Sequence, residues 1–322
     1  MIIVAFRCLA RQLVVISGAL VVVAGLVWLT ADRAAALRLL ETGVVDMNGL
    51  WVWTLGYGLA SFVTTQGRRL SLDVDGVLEP SNTIADAVKR INAATWHRSA
   101  LRYTVPITLI GAVLTAGYGL PGGWVAATFT YLAVCSIYYV GGFLLFHFVE
   151  VILSFHTLLE RQDDVQFRRV YSPIHLENLT NYLAITTALG IAGIYAGFRG
   201  TLTAPFAIES RLFMASLTAP LILFLPGTLL YNYYPRYVLR KILQYKVFNT
   251  MQRLGGTDDP DARTLVIELR ENAVLNSQIL PFLDYKSLPS YLLAVFFALS
   301  LAFNNDPTVR AFVLKVLGTP AP

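Results

Sequence analysis

Long uncharged stretches separated by short polar segments dominate this chain. One of them, residues 124–146, is a run of 23 uncharged positions. About 20 apolar residues in a helix are enough to cross the hydrocarbon core of a bilayer. Six further stretches have a similar apolar character. The pattern therefore predicts seven transmembrane helices, over about residues 12–30, 43–64, 103–120, 124–148, 181–198, 212–232 and 288–305.

The composition agrees with a membrane protein. Apolar residues make up 56% of the 322 positions, charged residues make up 14%, and the mean hydropathy is +0.58. The two cysteines, Cys8 and Cys135, lie at or inside apolar segments, which indicates no disulfide framework. The first apolar run follows Arg7 and Arg11 and is longer than the apolar core of a typical signal peptide. We therefore expect a retained signal anchor.

The distribution of basic residues predicts the orientation. With the N-terminus inside, 19 of the 25 lysines and arginines fall on the cytoplasmic side and six on the other. This bias indicates an N-in, C-out topology, and it explains the net charge of +5 without a nucleic-acid partner. We expect a multi-pass protein of the plasma membrane, which is the inner membrane if the source is bacterial.

The predicted topology divides the chain into three regions. Residues 1–232 form the transmembrane bundle, with a cytoplasmic loop over 65–101. Residues 233–287 form a cytoplasmic helical hairpin, because an amphipathic helix leaves span six and Gly255-Gly256 ends it. Residues 288–322 hold the final span and an outer tail. The predicted fold class is thus all-α, a polytopic helix bundle with a cytoplasmic helical extension.

The cytoplasmic loop begins with an alternating apolar stretch, Leu70, Leu72 and Val74, which predicts a short strand. The segment Asp73-Val74-Asp75-Gly76 is similar to the first motif of haloacid-dehalogenase phosphatases. Only about 25 residues follow before the next span, too few for the sheet that such a phosphatase needs. A short strand ending in an Asp-Gly turn is the favoured interpretation. A helix is predicted next, with apolar residues on one side at Ile84, Val88 and Ile91.

Two ionisable residues of the fourth predicted span, His147 and Glu150, share a helix face at i, i+3 spacing. Such groups in membranes act as metal ligands or proton relays. Glu150 comes 26 residues after Trp124, which is about 39 Å of helix and exceeds a hydrocarbon core of about 30 Å. An interfacial or cytoplasmic-end position is therefore favoured over a buried one. The four histidines are too few for a multi-histidine di-iron site.

Predicted spans five and six are rich in small, hydroxyl and proline residues. Small residues let helix backbones approach closely, and prolines free backbone carbonyls that then need polar partners. Two interpretations stay open: ordinary tight packing, or a polar-lined conduit between the two helices. The pore-lining or packing candidates are Thr186, Thr187, Gly190, Gly193 and Gly197 in span five, and Thr218, Pro220, Pro226 and Thr228 in span six.

Three stretches of spans five and six resemble the core helices of the MotA/TolQ/ExbB proton-channel superfamily. Residues 189–198, Leu-Gly-Ile-Ala-Gly-Ile-Tyr-Ala-Gly-Phe, are similar to the family's Leu-Gly-Thr-Val-x-Gly-Ile stretch. Residues 217–221 and 225–232 are similar to its Thr-Ala-x-Gly-Leu and Ile-Pro-Ala…Tyr-Asn stretches. Residues 281–284, Pro-Phe-Leu-Asp, look like the approach to the proton-carrying aspartate of the family's partner subunit. The resemblance implies an oligomeric proton channel, a protein partner, and Asp284 as a third ionisable candidate.

No nucleophile motif, zinc-protease motif, P-loop or dinucleotide fingerprint occurs in the sequence. We therefore expect no enzyme and no cofactor or metal. The leading hypothesis is an oligomeric ion channel of proton-channel type, in contact with the lipid bilayer and with a cytoplasmic or single-span protein partner. The second is a non-conducting membrane scaffold or sensor that binds a partner through the cytoplasmic hairpin. The third is a lipid-modifying enzyme that uses Glu150 and His147.

Overall fold

The computed structural model describes residues 1–29, 33–40, 48–117, 124–165, 173–203, 225–242, 244–245 and 267. This part of the chain is all-helical and holds no β-strand. Seven helices have both ends described: α1 (Ile2–Leu29), α2 (Arg33–Leu40), α3 (Asn48–Val77), α4 (Asn82–Ala93), α5 (His97–Gly117), α6 (Trp124–Glu160) and α7 (Pro173–Thr203). Residues 225–242 form a further helical segment, which we call α8.

The all-α class is confirmed, whereas the seven-span arrangement stays a prediction. Two described helices, α1 and the Val134–Glu160 part of α6, are long and apolar enough to cross a membrane. A signal sequence or the buried core helix of a soluble protein has the same properties, so these helices are weak support for membrane association. The predicted seventh span and most of the predicted cytoplasmic hairpin lie outside the described residues.

Four of the described helices are longer than a membrane crossing requires, and α1 among them has 28 residues. α3 has 30 residues, α6 has 37 and α7 has 31. At the helical rise α6 is about 56 Å long, nearly twice the thickness of a hydrocarbon core. The largest hydrophobic core lies where the carboxyl half of α3, the carboxyl half of α6 and the amino half of α7 meet α4 and α8. This core surrounds the buried polar groups described below.

The strand predicted near residue 72 is wrong, because residues 70–77 continue α3 without a break. Leu70 and Val74 are completely buried, whereas Leu72 between them is 65% exposed. Burial at i and i+4, with exposure at i+2, is the signature of a helix face. The short alternation of apolar residues matched a strand only because it covered too few positions to distinguish the two periods.

The helix predicted after this stretch is present as α4. The Ser81 side chain caps its first turn by accepting a hydrogen bond from the Ile84 backbone N–H at 3.3 Å. Ile84 and Ile91 are buried, and Val88 packs partly buried against the same core. α4 thereby fills the space between the ends of α3 and α6.

Glycine permits a close helix approach at several described positions, and two of them are Gly142 and Gly190. A Cβ added at Gly142 of α6 would lie 2.8 Å from the Thr104 Cα, so α5 and α6 touch there at backbone level. A Cβ added at Gly190 of α7 would lie 3.1 Å from the Thr228 methyl of α8. At Gly193 the nearest atom would be the Leu55 Cβ at 3.8 Å, an ordinary contact within the chain.

Candidate functional site

A histidine at the centre of the bundle connects three helices. The His147 ring is completely buried. Its Nε2 lies 3.0 Å from the Tyr231 hydroxyl of α8 and 3.0 Å from the Tyr182 hydroxyl of α7. Its Nδ1 lies 3.2 Å from the Ala94 carbonyl oxygen. Because a carbonyl can only accept, Nδ1 carries the proton, and Nε2 accepts a hydrogen bond from a phenol. The group of His147, Tyr182 and Tyr231 is called the His147 cluster below.

Aromatic packing fixes the two phenols of the His147 cluster. The Phe62 ring of α3 stacks on Tyr182 with centroids 5.6 Å apart, and Phe148 of α6 lies 4.5 Å from Tyr231. Both tyrosines are completely buried. Each therefore has an apolar body held by neighbouring rings and a hydroxyl that must find a polar partner inside the protein. The histidine Nε2 lies within hydrogen-bond distance of both hydroxyls, which also interact with each other.

Hydroxyl residues extend the polar interior from this cluster along the contact of α7 with α8. Thr186 is completely buried, one turn after Tyr182 on α7. The Thr187 hydroxyl donates to the Thr228 carbonyl oxygen at 3.3 Å, beside the close approach at Gly190. Four of the pore-lining or packing candidates thus lie on one helix interface: Thr186, Thr187, Gly190 and Thr228. The neighbouring His147 cluster contains one further candidate from the sequence, His147 itself.

The other end of the same interface holds a buried arginine. Arg236 is 3% exposed, and its Nη2 donates to the Thr180 carbonyl oxygen at 2.9 Å. From Thr228 to Arg236 the polar side chains of α8 span eight residues, about 12 Å along the helix. The row from Thr228 and Thr187 through the His147 cluster to Arg236 is called the buried polar track below.

A second buried acid–base pair lies beyond the track, at the amino end of α7. The His175 Nδ1 lies 2.8 Å from an Asp73 carboxylate oxygen of α3. The Asp73 side chain is 6% exposed and that of His175 is 37% exposed. Burial raises the pKa of Asp73, against the opposing hydrogen bonds and charges of His175, Asn178 and Arg69. The pair is half open to solvent, in contrast to the His147 cluster.

The glycine of the Asp73-to-Gly76 segment has a packing role here. A Cβ at Gly76 would come within 2.8 to 3.0 Å of three atoms of the His175 ring. The ring therefore lies directly on the α3 backbone, one turn from the carboxylate that it contacts. The Asp-Gly pattern thus marks neither a phosphatase loop nor a turn, because it lies inside a helix and seats a histidine from another helix.

His147 and Glu150, which the sequence placed on one helix face, contact different elements of the structure. The Glu150 carboxylate is hydrogen-bonded to the Arg102 guanidinium of α5, and the Glu150 side chain is only 11% exposed. The Arg102 side chain is 64% exposed, so the pair lies at the edge of the bundle. Among the described residues, the Glu150 carboxylate and the His147 ring are hydrogen-bonded to different partners.

The remaining predicted residues contribute less to a described site. Pro226 is exposed within α8, and Gly197 lies within α7. Thr218, Pro220 and Asp284 lie outside the described residues. Sequence reasoning missed Tyr182, Tyr231, His175 and Arg236 as site residues. One signal was available, since Tyr182 and Thr186 are spaced i, i+4 inside a predicted span and so share its face.

No group of three or more His, Cys, Asp or Glu side chains that could hold a metal ion occurs among the described residues. Comparison with known proteins gives no assignment: no protein-family model matches the chain, and neither a curated protein nor a solved structure is significantly similar to it.

Proposed function

We propose that this protein is a multi-pass membrane protein that conducts protons, with the buried polar track as its path. The observation that carries the proposal is the contact of one buried imidazole nitrogen with two phenols from different helices, both at 3.0 Å. Intramembrane ionisable groups are costly, and they commonly mark proton relays and ion pathways. Here the ionisable ring lies in α6, within one of the two described helices that are apolar and long enough to cross a membrane.

The geometry suits proton transfer across the His147 cluster. When an excess proton arrives at the Tyr231 oxygen, that phenol can release its own proton to Nε2 and form an imidazolium. The imidazolium can then donate the Nε2 proton to the Tyr182 oxygen while Tyr182 releases its own hydroxyl proton to the next acceptor of the track, which restores the neutral ring. Nδ1 keeps its proton on the Ala94 carbonyl throughout, so the ring need not turn. One such cycle moves a proton from α8 to α7.

The predicted topology is part of the proposal. With the N-terminus inside, α7 leaves the cytoplasm at the Asp73–His175 pair and α8 returns to it. These two helices are the ones that resemble the core helices of the MotA/TolQ/ExbB superfamily. Assembly of several copies, with a protein partner on the cytoplasmic side, belongs to the same proposal.

Proton flux into liposomes tests the function. The purified protein would be reconstituted with a pH-sensitive dye inside the vesicles, and a pH gradient or a potassium-diffusion voltage would be applied. We expect wild-type flux above that of empty vesicles, and loss of this flux in His147→Gln. The glutamine amide can still donate to the Ala94 carbonyl and accept from a phenol, but it cannot take up and release a proton.

The matched control is His156→Gln. His156 is on the same helix, is exposed, and contacts Tyr234 at 2.6 Å outside the track. It should keep the wild-type flux, and both variants should elute from gel filtration as the wild type does. A wild-type protein that passes no protons under either driving force contradicts the proposal, and the non-conducting scaffold then replaces it.

A further inference from the structure

The corner between α4 and α5 exposes a large aromatic side chain beneath an arginine. Trp96 is 52% exposed, and the Arg68 guanidinium of α3 lies 4.6 Å from its ring centroid. Arg98 follows two residues later on the first turn of α5 and is also exposed. Tryptophan and arginine are the residues that proteins place at the headgroup level of a membrane, where one side is apolar and the other is charged.

An apolar stripe continues from this corner along α5. Its exposed residues recur every four positions, at Leu101, Val105, Leu109 and Val113. The stripe covers 13 residues, or about 18 Å of helix, which is close to the depth of one leaflet of a bilayer. Exposed apolar residues on one continuous face need an apolar neighbour. The basic aromatic corner is complementary to the headgroup of a phospholipid, and the apolar stripe is complementary to its acyl chain.

We propose that this corner binds one anionic phospholipid of the cytoplasmic leaflet. The headgroup phosphate would lie between the guanidinium groups of Arg68 and Arg98, with Trp96 at the glycerol level and an acyl chain along the stripe. Guanidinium groups pair with phosphate oxygens through forked hydrogen bonds. Arg102 contributes less, because its guanidinium is already hydrogen-bonded to the Glu150 carboxylate.

Charge and shape together select this occupant. A zwitterionic phospholipid offers the same acyl chain, but its headgroup amine repels the arginines. A free phosphate offers the charge and leaves the stripe uncovered. The inference requires that α5 contacts the bilayer, and it does not require proton conduction, so the two proposals fail separately.

Lipid binding by the purified full chain tests the inference. The protein would be prepared in a neutral detergent and titrated with phosphatidylglycerol, with phosphatidylcholine of the same acyl chains, and with glycerol 3-phosphate. Thermal unfolding and native mass spectrometry would report binding. We expect phosphatidylglycerol alone to raise the unfolding temperature and to remain bound in the mass spectrometer.

The decisive variant is the double substitution Arg68→Gln/Arg98→Gln. Each arginine near an anionic headgroup strengthens binding several-fold, so the apparent affinity for phosphatidylglycerol should fall by roughly tenfold or more. The matched control is Lys89→Gln/Arg90→Gln, which removes two exposed charges from the neighbouring helix α4. It should bind as the wild type does. Trp96→Leu, which leaves the net charge unchanged, should also weaken binding.

Three results would overturn the lipid site. Equal binding of phosphatidylglycerol and phosphatidylcholine would show that the arginines do not distinguish an anionic headgroup from a zwitterionic one. Equal losses in the two double variants would show a diffuse charge effect. Binding of glycerol 3-phosphate as strong as that of the lipid would show an anion site that does not use the stripe.

Discussion

The sharing of one nitrogen by two phenols in the His147 cluster makes a quantitative prediction. The Nε2 of a neutral imidazole has a single lone pair, yet both Tyr182 and Tyr231 lie 3.0 Å from it. If one phenol is removed, the other can still donate to Nε2. If both are removed, a completely buried acceptor loses its donors. Tyr182→Phe and Tyr231→Phe should therefore be non-additive.

The magnitudes follow from the cost of buried hydrogen-bonding groups. Phenylalanine keeps the ring packing against Phe62 and Phe148, so each single variant loses only a hydroxyl. We expect each to lower the free energy of unfolding by about 1 kcal/mol. The double variant additionally leaves Nε2 without a partner, which costs roughly 1–3 kcal/mol more. The coupling free energy should thus be about 1–3 kcal/mol, with the double variant less stable than the sum predicts.

Equilibrium unfolding in mixed micelles would measure this double-mutant cycle. The fraction unfolded would be followed by near-ultraviolet circular dichroism, and the wild type must refold reversibly. The control cycle pairs Tyr182→Phe with Tyr234→Phe, because the Tyr234 hydroxyl has a different partner, His156. That pair should be additive within about 0.5 kcal/mol. Additivity in the Tyr182 and Tyr231 cycle would refute the shared-acceptor geometry, and with it the transfer step of the proposed path.

Two further predictions compare neighbouring or like residues. Gly142→Ala should destabilise the protein by about 1–3 kcal/mol, because its Cβ would meet the Thr104 backbone at 2.8 Å; Gly141→Ala, with nothing within 4 Å, should stabilise it by about 0.5–1 kcal/mol. Equal effects in thermal unfolding would contradict this packing. Because burial raises the pKa of Asp73 above 3.8, wild-type stability should fall as the pH rises from about 4 through that raised pKa. Asp73→Asn should remove this pH dependence of stability, whereas Asp86→Asn, at an exposed position, should keep it. Unfolding temperatures measured between pH 4 and 7 test this prediction. The same pH dependence in Asp73→Asn as in the wild type would contradict it.

Local patterns in the sequence predicted the helices well and their partners poorly. The uncharged run after Trp124 became part of α6, and the spacing of Ile84 and Ile91 became the buried face of α4. Both inferences use neighbours within about four turns. The strand prediction for residues 70–74 was wrong because five positions fit a strand and a helix equally well. Only the burial of Val74 together with the exposure of Leu72 distinguishes the helix from the strand.

The candidate site could not be predicted from the sequence for a different reason, because its contacts join distant parts of the chain. His147 meets Tyr231 across 84 positions, and Asp73 meets His175 across 102. No periodicity relates such positions, and a single sequence offers no signal that pairs them. The many threonines and glycines distinguish spans five and six from ordinary apolar helices, whereas tyrosine is enriched at membrane interfaces and does not by itself indicate a buried site.

The placement of the two acid–base groups gives the buried polar track a direction. His175 precedes Tyr182 by seven residues on α7, two turns or about 10 Å along one helix face. Its ring is half open to solvent, whereas the His147 ring is completely enclosed. A proton entering or leaving the track at this end would therefore meet the Asp73–His175 pair first. In the proposed topology this end faces the cytoplasm. The Asp73–His175 pair would therefore control the rate of proton exchange with the cytoplasm, and His147 would control the rate of proton transfer through the core.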